Sequence, residues 1–164
     1  MANNADFFQV FGHISVFFAT WDMFTALLIV RLVRPECEIP PSNSTLGKKL
    51  MFLERLNDDQ VVNPELLTRI QTDLPDSKEV SRKRNRFIHD QWVFEPTLIA
   101  QDKIKRCTLR MEQNMGIRFA PMDQEEYHIT DLYKFLETVG EQQKKYFGFA
   151  QELPETTLPP QKTT

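Results

Sequence analysis

The chain has 164 residues, of which 41% are hydrophobic and 26% charged, with a net charge of −3. That composition fits one folded domain with a sizeable core. It excludes a globally basic nucleic-acid binder and leaves room for a local basic strip. The two cysteines, Cys37 and Cys107, stand apart without CxxC spacing, which speaks against a zinc site or a disulfide scaffold and for a reducing cytoplasm. A Gly-rich phosphate loop, a nucleophile elbow and an internal repeat are all missing from the sequence, so neither a cofactor nor a metal is expected.

The opening "MANNADFF" lacks the basic region and cleavage site of a secretory signal. Asn4 to Arg34 is predicted as one helix about 45 Å long. Its apolar residues, among them Phe7, Phe8, Phe11, Ile14, Phe18 and Trp21, fall nearly all round it, so it needs partners on more than one side. A second copy of the chain is a natural partner, and a homodimer is expected. Phe11 to Val33 is long enough to pose the question of a membrane span. Asp22 sits in its middle, with His13, Ser15, Thr20 and Thr25 along it and Arg31 near its end. A charge at bilayer depth is costly, so the segment reads as a buried helix and no membrane is expected. Pro35 stops it.

"RPECEIPPSNS" reads as a loop. Ser42, Asn43 or Ser44 is expected to cap a second helix running to about Leu56. Asn63 caps a third, with Pro64 at its favoured first position, and Pro75 ends that helix near Leu74. Asp76 and Glu79 are spaced as a capping-box-like start for a fourth, from about Ser77 to Trp92. After Pro96, "KIKRCTLRM" and "GIRFAPM" flank "EQNM" in the manner of a hairpin. Thr130 and Asp131 open a last amphipathic helix that runs to about Leu153. The expected fold class is therefore mostly all-α, about five helices with a small β-hairpin before the last. Residues 1–152 form a single domain, and the Pro/Thr-rich tail 153–164 is disordered; its "LPETT" lacks the glycine and the apolar anchor of a sortase signal.

"RKRNRFIHDQW", Arg82 to Trp92, concentrates the unusual chemistry. At 100° per residue, Val80, Phe87 and Ile88 gather on one side of a helix, with Arg84 in the middle of that side. Asn85, Arg82 and His89 lie on the outer side, with Lys78 and Arg86 nearby. A buried arginine requires a partner, and Asp22, likewise a charge in an apolar run, is the expected one. Asn85 and His89 are one turn apart, flanked by Arg82 and Arg86. A guanidinium binds a phosphodiester, and an imidazole moves a proton near neutral pH. RNA brings its own nucleophile in the 2′-hydroxyl. The plainer account is a solvated basic face with a histidine near the helix C-terminus, meeting the last carbonyls. Arg84 and His89 stand about 140° apart on an ideal helix, so both can serve one substrate only if the helix deviates or a second subunit contributes.

"RNRFIH" resembles the Arg-x4-His signature of HEPN-type domains, and "FATWDMFTALL" resembles the acid-bearing first helix of small bacterial HEPN-like proteins. The resemblance spans roughly residues 5–152 in architecture, while its specific motif is six residues long. It implies an up-and-down helical bundle that dimerises and, in catalytic members, cuts RNA without metal where the Arg and His of two protomers meet. On that resemblance Arg84 holds the scissile phosphate, His89 is general acid or base, Asn85 orients either, and Asp22 holds Arg84. Two departures stand out. Asp22 replaces the usual Glu, and Gln91 stands where the toxin subgroup has a tyrosine. Many relatives are non-catalytic, so fold likeness does not by itself license activity.

Elsewhere, Trp21 and Trp92 read as core or interface anchors rather than base-stacking platforms. His13 and His128 have no ligand-spaced companions. Lys103, Lys105, Arg106 and Arg110 form a second basic cluster, read as a strand edge kept soluble by charge, with phosphate tracking as the alternative. Cys107 alternates toward the apolar side and reads as a small buried residue. Two functional expectations result: a dimeric metal-independent endoribonuclease acting through Arg84, Asn85 and His89, with Arg82 and Arg86 binding RNA, or a non-enzymatic helical interaction module in which the same residues form a structural polar network.

Overall fold

A computed structural model describes residues 3–112 and 118–155. The expected hairpin tip in "EQNM" and the tail from Thr156 onward lie outside the described residues. The architecture is mostly helical with one small antiparallel sheet, as the chain-order reading expects. The elements are α1 (Asn4–Leu32), α2 (Leu46–Arg55), a 3-10 turn (Asp58–Gln60), α3 (Pro64–His89), β1 (Gln91–Val93), α4 (Pro96–Ile99), β2 (Lys103–Glu112), β3 (Arg118–His128) and α5 (Ile129–Gln151).

α1 starts on a reciprocal cap. Asn3 Oδ1 accepts from the backbone N–H of Ala5 at 2.7 Å, while Asp6 Oδ2 accepts from that of Asn3 at 2.7 Å. After α1 the chain makes a short bridge to the segment beyond α2, with Val33 opposite Val61 and Arg34 N–H bonded to the Gln60 carbonyl at 2.9 Å. α2 opens after Thr45, one residue beyond the expected Ser42–Ser44 caps, and Thr45 makes no side-chain cap. Asn63 does cap α3, accepting from Leu66 N–H at 3.0 Å.

The expected break at Pro75 is absent, and α3 runs on from Pro64 to His89 through it. The reason lies in the spacing of its buried residues. Leu66, Leu67, Ile70, Leu74, Ser77, Val80 and Ser81 are buried at helical intervals on both sides of the proline, and Pro75 itself is exposed. Packing of a continuous apolar stripe outweighs the missing N–H and the ring clash, together about 3 kcal/mol. Pro75→Ala is therefore expected to raise the unfolding free energy by about 2 kcal/mol, once the proline's restriction of the unfolded chain is deducted. Urea unfolding measures this, and a loss of stability would show that the proline is required.

α3 also stops three residues earlier than expected. Trp92 lies in β1, opposite Arg106 of β2. The strand order is β1-β2-β3, so β2 is the central strand rather than an edge. Its pairing with β3 runs from Lys103 opposite His128 to Glu112 opposite Arg118, with one irregularity at Thr108/Leu109. Asp102 takes the left-handed conformation, φ 57°, to close the turn from α4 into β2; a short polar side chain tolerates it. β3 passes directly into α5, where Asp131 Oδ2 accepts from His128 N–H at 3.2 Å.

The chain divides into two compact units, each built from segments remote in sequence. The first comprises residues 1–17 and 80–140 and contains the sheet. Its interior is aromatic: Phe87 stacks on Phe135 with centroids 4.7 Å apart and meets Trp92 at 5.3 Å and Tyr127 at 5.2 Å. Gly140 allows Phe17 to approach, since a methyl there would lie 3.2 Å from its ring.

The second unit comprises residues 18–79 and 141–164. Trp21, fully buried as expected, packs edge-on to Tyr146 at 5.7 Å. Beside them lies a polar network that the sequence did not announce. Ser77 Oγ lies 2.8 Å from Asp73 Oδ2 and 2.9 Å from Gln142 Oε1, with one hydroxyl hydrogen to donate between the two, and accepts from Tyr146 Oη at 3.1 Å, while Lys145 meets Asp73. Burial pushes the Tyr146 phenol well above its ordinary range. Leu153, which the sequence assigned to the tail, is buried at 4% exposure. α1 is long and apolar enough to cross a membrane, and a third of its most apolar window is buried within the protein. By length and composition alone, the core helix of a soluble protein, which is mostly buried, and a signal sequence near an N-terminus meet the same description.

Candidate functional site

The last turns of α3 carry the candidate residues, all within the first unit. Val80, Ser81 and Phe87 are buried, Arg84 is half-buried, and Arg82, Lys83, Asn85 and Arg86 are exposed. The helical phase therefore sorts the basic stretch into one inward arginine and an outward group. Arg84 Nη1 donates to Asn85 Oδ1 at 3.3 Å, and its Nε is sheltered from solvent. His89 is the final residue of α3; its side chain, like that of Ile88, lies outside the described residues.

Asp22, assigned from the sequence to Arg84, has Lys49 as its cation. Lys49 Nζ donates to Asp22 Oδ1 at 2.8 Å, and the lysine side chain is 4% exposed. Lys49 falls among the buried leucines of α2, and its helical phase was the available signal. The acid in α1 is thus accounted for within the second unit.

The contacts that close the end of α3 go beyond the sequence expectation. Asp90 N–H bonds the Arg86 carbonyl at 2.9 Å, and Trp92 Nε1 donates to the Phe87 carbonyl at 2.8 Å, so two groups hold the end of the helix. Arg106 then reaches Asp90 with Nη1 at 2.7 Å and Glu125 with Nη2 at 2.8 Å. The same Glu125 oxygen accepts from Tyr127 Oη at 2.7 Å, and the guanidinium lies 5.9 Å from the Tyr127 ring centre. Arg106 is 3% exposed, so its assignment to a solvated strand edge is corrected. Strand alternation carried the signal: Arg106 is in phase with fully buried Ile104 and opposite Glu125. Cys107, in the other phase, is buried as expected, because this central strand is covered on both faces here.

Two other members of the hairpin cluster are ion-paired. Lys103 pairs with Glu126 at 3.4 Å and Lys105 with Glu95 at 3.6 Å, while the Arg110 side chain lies outside the described residues. Of the four cations in this cluster, Arg106 is buried, and Lys103 and Lys105 have carboxylate neighbours near the surface. His128 is engaged locally, its Nδ1 2.9 Å from Thr130 Oγ1 at the start of α5, and His13 is exposed on α1. Among the described residues no three His, Cys, Asp or Glu side chains cluster as metal ligands.

Burial first, and then the bond to Glu125, push the Tyr127 phenol up to about 12. In the unfolded chain it titrates near 10. Because the folded value is the higher, any stability from this group is complete below pH 10 and is lost as the pH rises from about 10 through about 12. Melting curves of wild type and Tyr127→Phe between pH 9 and 12 should diverge across that window, wild type losing more. Parallel curves would remove Tyr127 from the titration.

Comparison with protein-family models, curated proteins and solved structures finds no match.

Proposed function

We propose that the last turns of α3 form half of a metal-independent RNA-cleaving site, completed by the same turns of a second copy, as in catalytic HEPN-like proteins. The observation that carries this is the sorting of the helix: a half-buried Arg84 tied to Asn85, one turn before His89, in a stretch from Val80 to His89 with four cations and no acid. In the reaction the 2′-oxygen attacks phosphorus as its proton passes to a base, and the bond to the 5′-oxygen breaks as that oxygen is protonated. A 2′,3′-cyclic phosphate and a 5′-hydroxyl result. Arg84 stabilises the charge on the phosphoryl oxygens, His89 carries the proton, Asn85 orients Arg84, and exposed Arg82 and Arg86 bind flanking phosphates. The dimer answers the angular separation of Arg84 and His89 on one helix. Two free thiols, Cys37 and Cys107, fit a cytoplasmic setting.

Cleavage of a mixed RNA panel in EDTA by wild type and His89→Ala tests the reading. The variant is expected to lose at least about 100-fold in rate, and equal product from both would end the assignment. Light scattering on the eluting protein tests the dimer, which a strict monomer would refute.

A second reading, a non-enzymatic interaction module, is favoured by exposed aliphatic side chains on α1, Val16 at 61% and Met23 at 57%. In that case the polar residues of α3 are structural, Val16→Asp separates the assembly, and no RNA is cut.

A further inference from the structure

We infer that Arg106 and Asp90 are positioning residues for His89: the buried guanidinium of the sheet grips the residue that joins α3 to β1, and so fixes where the helix end lies. The inference rests on the proposed function in taking His89 as the proton carrier. Every residue concerned belongs to the first unit. α3 ends at His89 and β1 begins at Gln91, so Asp90 alone links helix to strand. The last turn of a helix has carbonyls without intrahelical partners and frays readily. A proton carrier at such a position acts well only if its backbone is held. On the helix side, Asp90 N–H bonds the Arg86 carbonyl at 2.9 Å. On the strand side, Gln91 lies opposite Cys107 and Trp92 opposite Arg106. The Asp90 carboxylate adds a third tie, accepting from Arg106 Nη1 at 2.7 Å. Swinging His89 away would turn the chain about Asp90 and pull its carboxylate off a guanidinium that is 3% exposed.

The guanidinium is not free to follow. Its other terminal nitrogen, Nη2, donates to Glu125 on β3 at 2.8 Å, and the same Glu125 oxygen accepts from Tyr127 Oη at 2.7 Å. A planar fork held at both ends has a fixed direction. Exposed Arg86, one turn before Asp90, acts on the same network. Burial and the bond to Glu125 raise the Tyr127 phenol, while the charges of Arg106 and Arg86 lower it. The network therefore meets the site twice, at Asp90 beside His89 and at Tyr127 within electrostatic range of Arg86. Stability alone does not explain such an arrangement. A buried ion pair often gives no more stability than apolar side chains of the same volume. What the pair adds is direction, because charge-assisted hydrogen bonds specify geometry that apolar contacts leave loose.

The test compares two full-length variants that each leave Arg106 one acid. Asp90→Ala keeps the pair with Glu125, and Glu125→Gln keeps the pair with Asp90. The backbone order parameter at His89, read by NMR relaxation, is expected to be about 0.85 in wild type and Glu125→Gln and to fall below about 0.6 in Asp90→Ala. RNA cleavage in EDTA, normalised to folded protein, should follow it: kcat drops about 10- to 100-fold in Asp90→Ala with KM unchanged, and hardly moves in Glu125→Gln. Arg106→Met combined with Asp90→Asn removes both charges of the pair and should behave like Asp90→Ala, which separates position from stability. Undiminished order at His89 in Asp90→Ala overturns the inference. An equal loss in Glu125→Gln also overturns it and assigns the anchor to the sheet as a whole. Lower order at His89 with kcat retained overturns it as well. A wild type that cuts no RNA ends the ribonuclease reading, while a fall in order confined to the variants that lose the Asp90 contact still supports the anchor.

Discussion

Arg106→Ala is expected to lower the unfolding free energy by about 3–5 kcal/mol, the range for breaking a buried ion pair by removing one partner. The guanidinium is 3% exposed and serves two carboxylates, Asp90 at 2.7 Å and Glu125 at 2.8 Å. Asp90 is itself only 12% exposed, so truncation strands a charge with little water to receive it, and it removes the cation above the Tyr127 ring. Arg106→Met separates charge from volume. It keeps most of the packing and should recover only a small part of the loss, while Arg106→Met combined with Asp90→Asn should recover more. Urea unfolding gives the values. A loss below about 1 kcal/mol for Arg106→Ala, the level of an exposed pair, would mean that water replaces the guanidinium in the sheet. The same variant bears on the site, because Asp90 directly follows His89. A helix end released by Arg106→Ala should show faster amide exchange at Phe87 to Trp92 than in the rest of α3.

The second large effect is expected at Asp22. Its carboxylate is 33% exposed, whereas the Lys49 side chain that meets it at 2.8 Å is 4% exposed. Removing the acid leaves a nearly buried ammonium without its counter-ion, and Asp22→Ala should lose about 2–3 kcal/mol, less than a fully buried pair because the acid is partly wet. Asp22→Asn keeps an acceptor and should lose less. The double variant Asp22→Ala with Lys49→Met should be more stable than Asp22→Ala alone, since a flexible apolar side chain suits the leucine face of α2. If the two single changes simply add, the lysine is solvated by some other route and the pair is not a unit.

Much of the chain was legible one element at a time. The caps at Asn63 and Asp131 have local chemical signals, and so does the halt of α1 before Pro35. Trp21 and Cys107 fell inside because their flanking residues have helix or strand periods that put them there. The inward turn of Arg84 and the outward turn of Asn85 likewise follow from 100° per residue.

Pro75 shows where local reasoning fails. The proline penalty is a property of the residue, but the stripe of Leu66, Ile70, Leu74, Ser77 and Val80 that overrides it gains its energy only once packed. Arg106 failed for a related reason. A run of Lys and Arg looks uniform until strand pairing decides which side chain enters the sheet, and Glu125 became its partner only through the register of β2 against β3. The same holds for Asp22, whose cation sits 27 positions away on α2.

The sequence by itself determined the mostly helical class, the hairpin before the last helix and the basic, acid-free end of α3, because capping, periodicity and charge runs are set by neighbours within about four residues. The tertiary structure alone decided which side chains meet: Lys49 with Asp22, and Arg106 with Asp90 and Glu125. Such pairings depend on distances between segments remote in the chain. They are selected by packing and by the free-energy cost of leaving a buried charge alone, and neither quantity exists until the chain has folded.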